Sequence, residues 1–139
     1  MKRLKTIVRT GIILVIAFLL VFIYLTFSNS KDCDQIVIDT YEIYSRINIP
    51  KVDPINCYFD DEVKCRISIY TLQTDLNLSP FTLVEKEDGI NSLSGIKLLD
   101  KYELPTADNL YLASGKRWGR KWVYLYEKQS DRLWAEINY

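Results

Sequence analysis

Ser94-Gly-Ile-Lys97 has the spacing of a lysine-assisted nucleophile. At i, i+3 on a helix a hydroxyl and an amine become neighbours, and a lysine of lowered pKa can replace histidine as the base. Replacement would be necessary, because the 139 residues contain no histidine. That absence removes the commonest general base, the usual partner of a catalytic Ser or Cys, and the commonest zinc ligand. Serine acyl enzymes of this kind also carry S-D-N and K-T-G elements, and neither occurs here. Ser94 and Lys97 therefore read as ordinary residues at a helix start. The expectation is a protein that is not an enzyme, with a small hydrolase of envelope polymers as the alternative.

The acidic clusters carry no clearer chemistry. Asp60-Asp61-Glu62 and Glu85-Lys86-Glu87-Asp88 lack the ordered D-x-D-x-D-G spacing of a calcium loop and read as solvated turns. No carboxylate pair among the eighteen acids identifies itself as a glycosidase dyad. Cys57 and Cys65 have no CxxC partner and no histidine to complete four ligands, so neither a metal nor another cofactor is expected. They read instead as a disulfide across a hairpin turning at Asp60–Glu62, with 59 opposite 63 and 57 opposite 65. Longer closures through Cys33 are the alternative. With Cys57 and Cys65 paired, Cys33 is left over and could join two copies of the chain.

The most unusual stretch is Gly115-Lys-Arg-Trp-Gly-Arg-Lys-Trp122, with four positive charges and two indoles in one run. Trp and Arg are among the side chains most enriched at interface hot spots, since each couples a large contact area to a polar handle. Lys116, Arg117, Trp118, Arg120, Lys121 and Trp122 are thus the candidate binding residues. The plain alternative is a basic loop whose indoles cover the core. Anionic lipid headgroups are a further possible ligand. Nucleic acid is not expected, because residues 31–139 hold fourteen bases against eighteen acids.

Upstream of these residues, Thr10–Ser30 carries no charge, and Lys2, Arg3, Lys5 and Arg9 precede it. Such a run predicts a transmembrane anchor over residues 10–28, with 1–9 in the cytoplasm and 29–139 across the membrane. A signal peptide cut after Ser30 is the competing reading. The expected location is a single-pass protein of the cell inner membrane with a periplasmic domain. Its partners would be the bilayer, through the anchor, and another envelope or exported protein.

Within the domain, apolar residues at helical spacing predict a helix over 35–46. Pro50 and Pro54 suit an extended connection. The alternation in 63–72 predicts a half-buried strand, with Val63, Cys65, Ile67 and Ile69 on one face. A short strand over 81–85, a turn at Asp88-Gly89 and a short helix within 93–102 follow. Strands over 109–113, 121–127 and 132–138 form a C-terminal three-stranded meander. The fold class expected is α+β: a transmembrane helix, then a small antiparallel-sheet domain with one or two helices. The function expected is a binding module at the outer face of a membrane: an inhibitor, an immunity-type protein or an accessory subunit of an envelope complex. A structural membrane component linked through Cys33 is the other alternative.

Overall fold

The computed structural model describes residues 11–23 and 35–139. The chain divides into two units, Met1–Lys31 and Asp32–Tyr139. In the first, residues 11–23 form helix α1, whose side chains are all exposed. Among the described residues no helix is long and apolar enough to cross a membrane. The predicted anchor over 10–28 is overturned on that ground, and with it the single-pass, inner-membrane and periplasmic placement. The ends of the predicted anchor, its basic flank, the cleavage position at Ser30 and Cys33 lie outside the described residues.

The second unit is one antiparallel six-stranded sheet with a few helices. Its strands are β1 (Val52–Asp60), β2 (Cys65–Leu72), β3 (Thr82–Glu85), β4 (Asn109–Arg117), β5 (Arg120–Glu127) and β6 (Arg132–Asn138). They lie in the order β1-β2-β6-β5-β4-β3, so the β4–β5–β6 meander is the middle of a wider sheet rather than a separate motif. The helices are α2 (Gln35–Ser45) and α3 (Lys86–Asn91), with 3-10 turns at Ile96–Leu98 and Lys101–Glu103.

Both faces of this sheet are covered. On one, Ile38 and Tyr41 of α2 pack with Tyr70, Trp122, Tyr124, Leu133 and Ile137. On the other, residues 86–107 lay Leu93, Ile96, Leu98 and Ala107 over Ile67, Ile69, Val123, Leu125 and Trp134. The inner strand β2 is consequently buried on both sides, Ser68 and Tyr70 as fully as Ile67 and Ile69, and not half-buried as its alternation predicts. Val63 stands outside the strand and is exposed.

The β1–β2 turn also differs from expectation. Asp60 pairs with Cys65 and Phe59 with Arg66, so Cys57 lies opposite Ser68. The turn spans 61–64 because Asp60 Oδ1 accepts the amides of Glu62 and Val63, at 2.9 and 3.2 Å, and Lys64 takes a positive φ. Those amide bonds, chiefly that of Val63, lower the Asp60 pKa. The resulting shift in register is odd, and an odd shift sends side chains to opposite faces. Cys65 is a free, buried thiol, so the expected Cys57–Cys65 disulfide is not formed; Cys57 is engaged elsewhere. Pro54 sits inside β1 rather than in a connection. An edge strand tolerates it, and the register slips between Pro54 and Asn56.

The segment 86–107 has little regular structure, and carboxylates hold it down. Glu136 of β6 accepts the amides of Ser94 and Gly95, at 2.9 and 2.8 Å. Glu127 of β5 accepts the amides of Thr106 and Ala107, at 2.6 and 2.7 Å, and the hydroxyl of Ser130. Glu103 reaches the other way, to Tyr58 Oη at 2.8 Å and Asn56 Nδ2 at 2.6 Å on β1. Trp134 Nε1 donates to the Glu103 carbonyl at 2.8 Å. Helix α3 forms where a turn is expected, because Gly89 lets it close on the sheet. A Cβ there would stand 2.8 Å from Leu125 Cδ1 and 3.0 Å from Leu110 Cδ1.

Burial by itself would raise the Glu127 pKa, but the hydrogen bonds it accepts from Ser130, Ala107 and Thr106 outweigh that and lower it. A lowered folded-state pKa stabilises above the ordinary carboxylate range, and the contribution is lost as pH falls through the folded value. Glu127→Gln should therefore lose about 1.5–3 kcal/mol of stability at neutral pH, as for hydrogen bonds to a charged acceptor. In denaturant melts against wild type, that gap should narrow once pH drops below about 4. A gap unchanged with pH would remove the charge from the account.

Candidate functional site

The basic run folds into the β4–β5 hairpin. Strand β4 continues to Arg117, beyond the predicted 113, so the loop contracts to Trp118-Gly119 with φ of 50° and 80°. Two successive positive φ values match a type I′ turn, which suits the right-handed twist of the flanking strands. Gly is free to adopt that conformation. A bulky L-residue is not, and left-handed backbone disfavours Trp118 by roughly 1–2 kcal/mol.

Cross-strand pairing sets like charges face to face. Lys116 lies opposite Lys121 and Arg117 opposite Arg120. Directly opposed like charges destabilise an antiparallel pair. Among the described residues no carboxylate lies within salt-bridge distance of any of the four.

The two pairs point to different faces and meet different fates. Arg117 and Arg120 share the α2 face with Gly115 and Trp122. Arg117 Nη1 donates to the Ile43 carbonyl of α2 at 2.7 Å, and its guanidinium lies 4.1 Å over the Trp118 ring. Arg120 Nη1 donates to Tyr44 Oη at 2.5 Å and stacks on Tyr44 and Tyr139, at 5.2 and 4.6 Å. Tyr44 also meets the Trp118 ring edge-on at 5.6 Å. Trp118, 66% exposed, is thus clamped at the tip by one arginine and one tyrosine. Lys116 and Lys121 remain exposed on the opposite face.

Trp122 belongs to the core. It is 9% exposed and lies so close over β4 that a Cβ on Gly115 would stand 2.6 Å from its ring. Its alternation with Tyr124 and Tyr126 is the signal that separates it from Trp118. Tyr44 and the Ile43 carbonyl, which complete the cluster, carry no local sequence signal, since Tyr44 and Arg120 meet across 76 positions.

Ser94 and Lys97 do not form a catalytic pair. Lys97 Nζ turns to Asp60 Oδ2 at 3.4 Å, and Ser94 Oγ accepts from Asn138 Nδ2 at 3.4 Å. The nearby Cys65 thiol is pushed up to about 12 by burial first and by the Glu136 carboxylate second, which keeps it protonated at neutral pH. Tyr58 is raised to about 12 chiefly by donating to Glu103. Among the described residues no group of three or more metal-binding side chains converges. No family model, curated protein or solved structure matches this chain.

Two substitutions in the hairpin should move stability in opposite directions in a denaturant titration. Trp122→Ala should lose about 3–5 kcal/mol, as large-to-small core changes do. Lys121→Glu should instead gain about 0.2–1 kcal/mol by converting a like-charge pair into an opposite-charge one. Stability falling in Lys121→Glu would mean the repulsion is already compensated within the fold.

Proposed function

We propose that the domain is a non-enzymatic binding module, of the inhibitor, immunity-protein or accessory-subunit kind, which docks another protein through the tip of the β4–β5 hairpin. One observation carries this reading. A tryptophan occupies the left-handed position of a type I′ turn, where Asn would fit without strain, and two thirds of its surface faces solvent. Strained backbone held by its surroundings clusters at working sites. Here Arg117 and Tyr44 do the holding. A rigid aromatic anchor loses little conformational entropy on association, which favours tight binding. The flanking arginines, tied to α2, fix its orientation and add a cationic rim that steers an acidic partner.

Trp118→Asn separates binding from folding. Asn relieves the backbone strain while the cation–π and edge contacts are lost, so stability should stay within about 1 kcal/mol of wild type. An anchoring residue is worth about 2 kcal/mol or more, or roughly thirty-fold in affinity. Affinity capture from extracts of the source cells, run in parallel with wild type and Trp118→Asn, should show one or more proteins lost from the variant. The same proteins retained equally by both would refute the docking role of the tip.

A further inference from the structure

The other side of the same hairpin holds a second, independent feature. Lys116 and Lys121 stand directly opposite one another, and Asn138 of β6 is the next residue in that row. With Ser114, Gly115, Gly119 and Tyr139 they border a shallow depression of about 470 Å³. The cover formed by residues 86–107 meets this row at Ser94, which accepts from Asn138, and leaves both lysines exposed. The carboxylate on this face of β6, Glu136, is fully buried and occupied by the amides of Ser94 and Gly95. Ser114 Oγ makes no hydrogen bond among the described residues and lies on the same face, two positions before Lys116.

We infer that this depression is an oxyanion site that takes a phosphate monoester group between Lys116 and Lys121, with the Ser114 hydroxyl as a third donor. Opposed residues of an antiparallel pair have Cβ atoms about 4.5–5.5 Å apart, so both ammonium groups can reach one ligand. Each lysine acts as a flexible point charge suited to phosphate. A monoester carries a charge of about −1.5 to −2 at neutral pH and matches both lysines, whereas a single carboxylate leaves one uncompensated. Ligand binding also relieves the cross-strand repulsion that the free fold retains. The arginines supply none of this, since they are turned to α2 on the other face. The inference therefore stands whether or not Trp118 docks a protein.

The group could come from free phosphate or from a phosphorylated side chain of a partner, and the test distinguishes them. The full chain is titrated with inorganic phosphate, with a phosphoserine peptide and with its unphosphorylated form, following backbone amide shifts at constant ionic strength. Wild type should show saturable shifts confined to residues 114–121 and Asn138, at least ten-fold weaker in Lys116→Gln/Lys121→Gln. A phosphoserine peptide binding more than ten-fold tighter than inorganic phosphate assigns the group to a partner protein, and equal affinities assign it to a free ligand. The proposal is overturned by absence of saturation with every probe, by equal binding in the double variant, or by equal binding of the unphosphorylated peptide. A thymidine oligonucleotide that binds more tightly than both phosphate probes would also overturn it, in favour of a phosphodiester.

Discussion

Burial of the sheet on both faces is the constraint from which the rest of the domain follows. A helix with an apolar stripe closes one face readily, and α2 does so with Ile38 and Tyr41. The opposite face is closed by a segment with only short helical turns, so some of its backbone amides, those of Ser94, Gly95, Thr106 and Ala107, take side-chain acceptors instead. Buried polar groups need partners, and Glu127 and Glu136 supply them from within the sheet. Both carboxylates are almost fully buried. Neither is paired with a cation among the described residues; each is balanced by several N–H or O–H donors. A segment of this kind is held by position-specific acceptors rather than by helix propensity.

Where the covers end, the sheet acquires its surface chemistry. Strands β4 and β5 extend beyond residues 86–107, and their last two cross-strand pairs are both cationic. The α2 face consumes its pair in stacking and hydrogen bonding around Trp118, which makes a rigid aromatic tip. The opposite face leaves its pair free. One short hairpin therefore presents two chemically distinct surfaces, because successive residues of a strand point to opposite sides. Negative charge elsewhere in the domain sharpens the contrast: fourteen bases and eighteen acids lie in residues 31–139, and four of those bases are concentrated at this tip.

Much of the sheet is legible from period-two patterning. Trp122, Tyr124 and Tyr126 fall on one face and Val123 and Leu125 on the other, and β5 is buried on both. The basic run is visible from composition alone. The turn between β1 and β2 is not, because its length depends on Asp60 accepting two amides, and three residues of register decide which face Cys57 occupies. Helix α3 is hidden by an acidic, glycine-containing string that reads as a turn until Leu110 and Leu125 are placed against Gly89. The apolar run near the amino terminus misled most. Hydropathy counts residues along the chain, and among the described residues no helix is long and apolar enough to cross a membrane.

By itself the sequence determined the alternation of the central strands, the helical face of α2, the want of any histidine-based chemistry and the four-cation cluster. Each is a property of neighbours along the chain, set by side-chain type and by the periods of two and 3.6. Tertiary structure alone decided that Trp122 is core while Trp118 is surface, that Lys97 serves Asp60 rather than Ser94, and that Cys65 is a buried thiol. Those outcomes depend on register and on contacts between distant segments, where one residue of slip exchanges inside for outside.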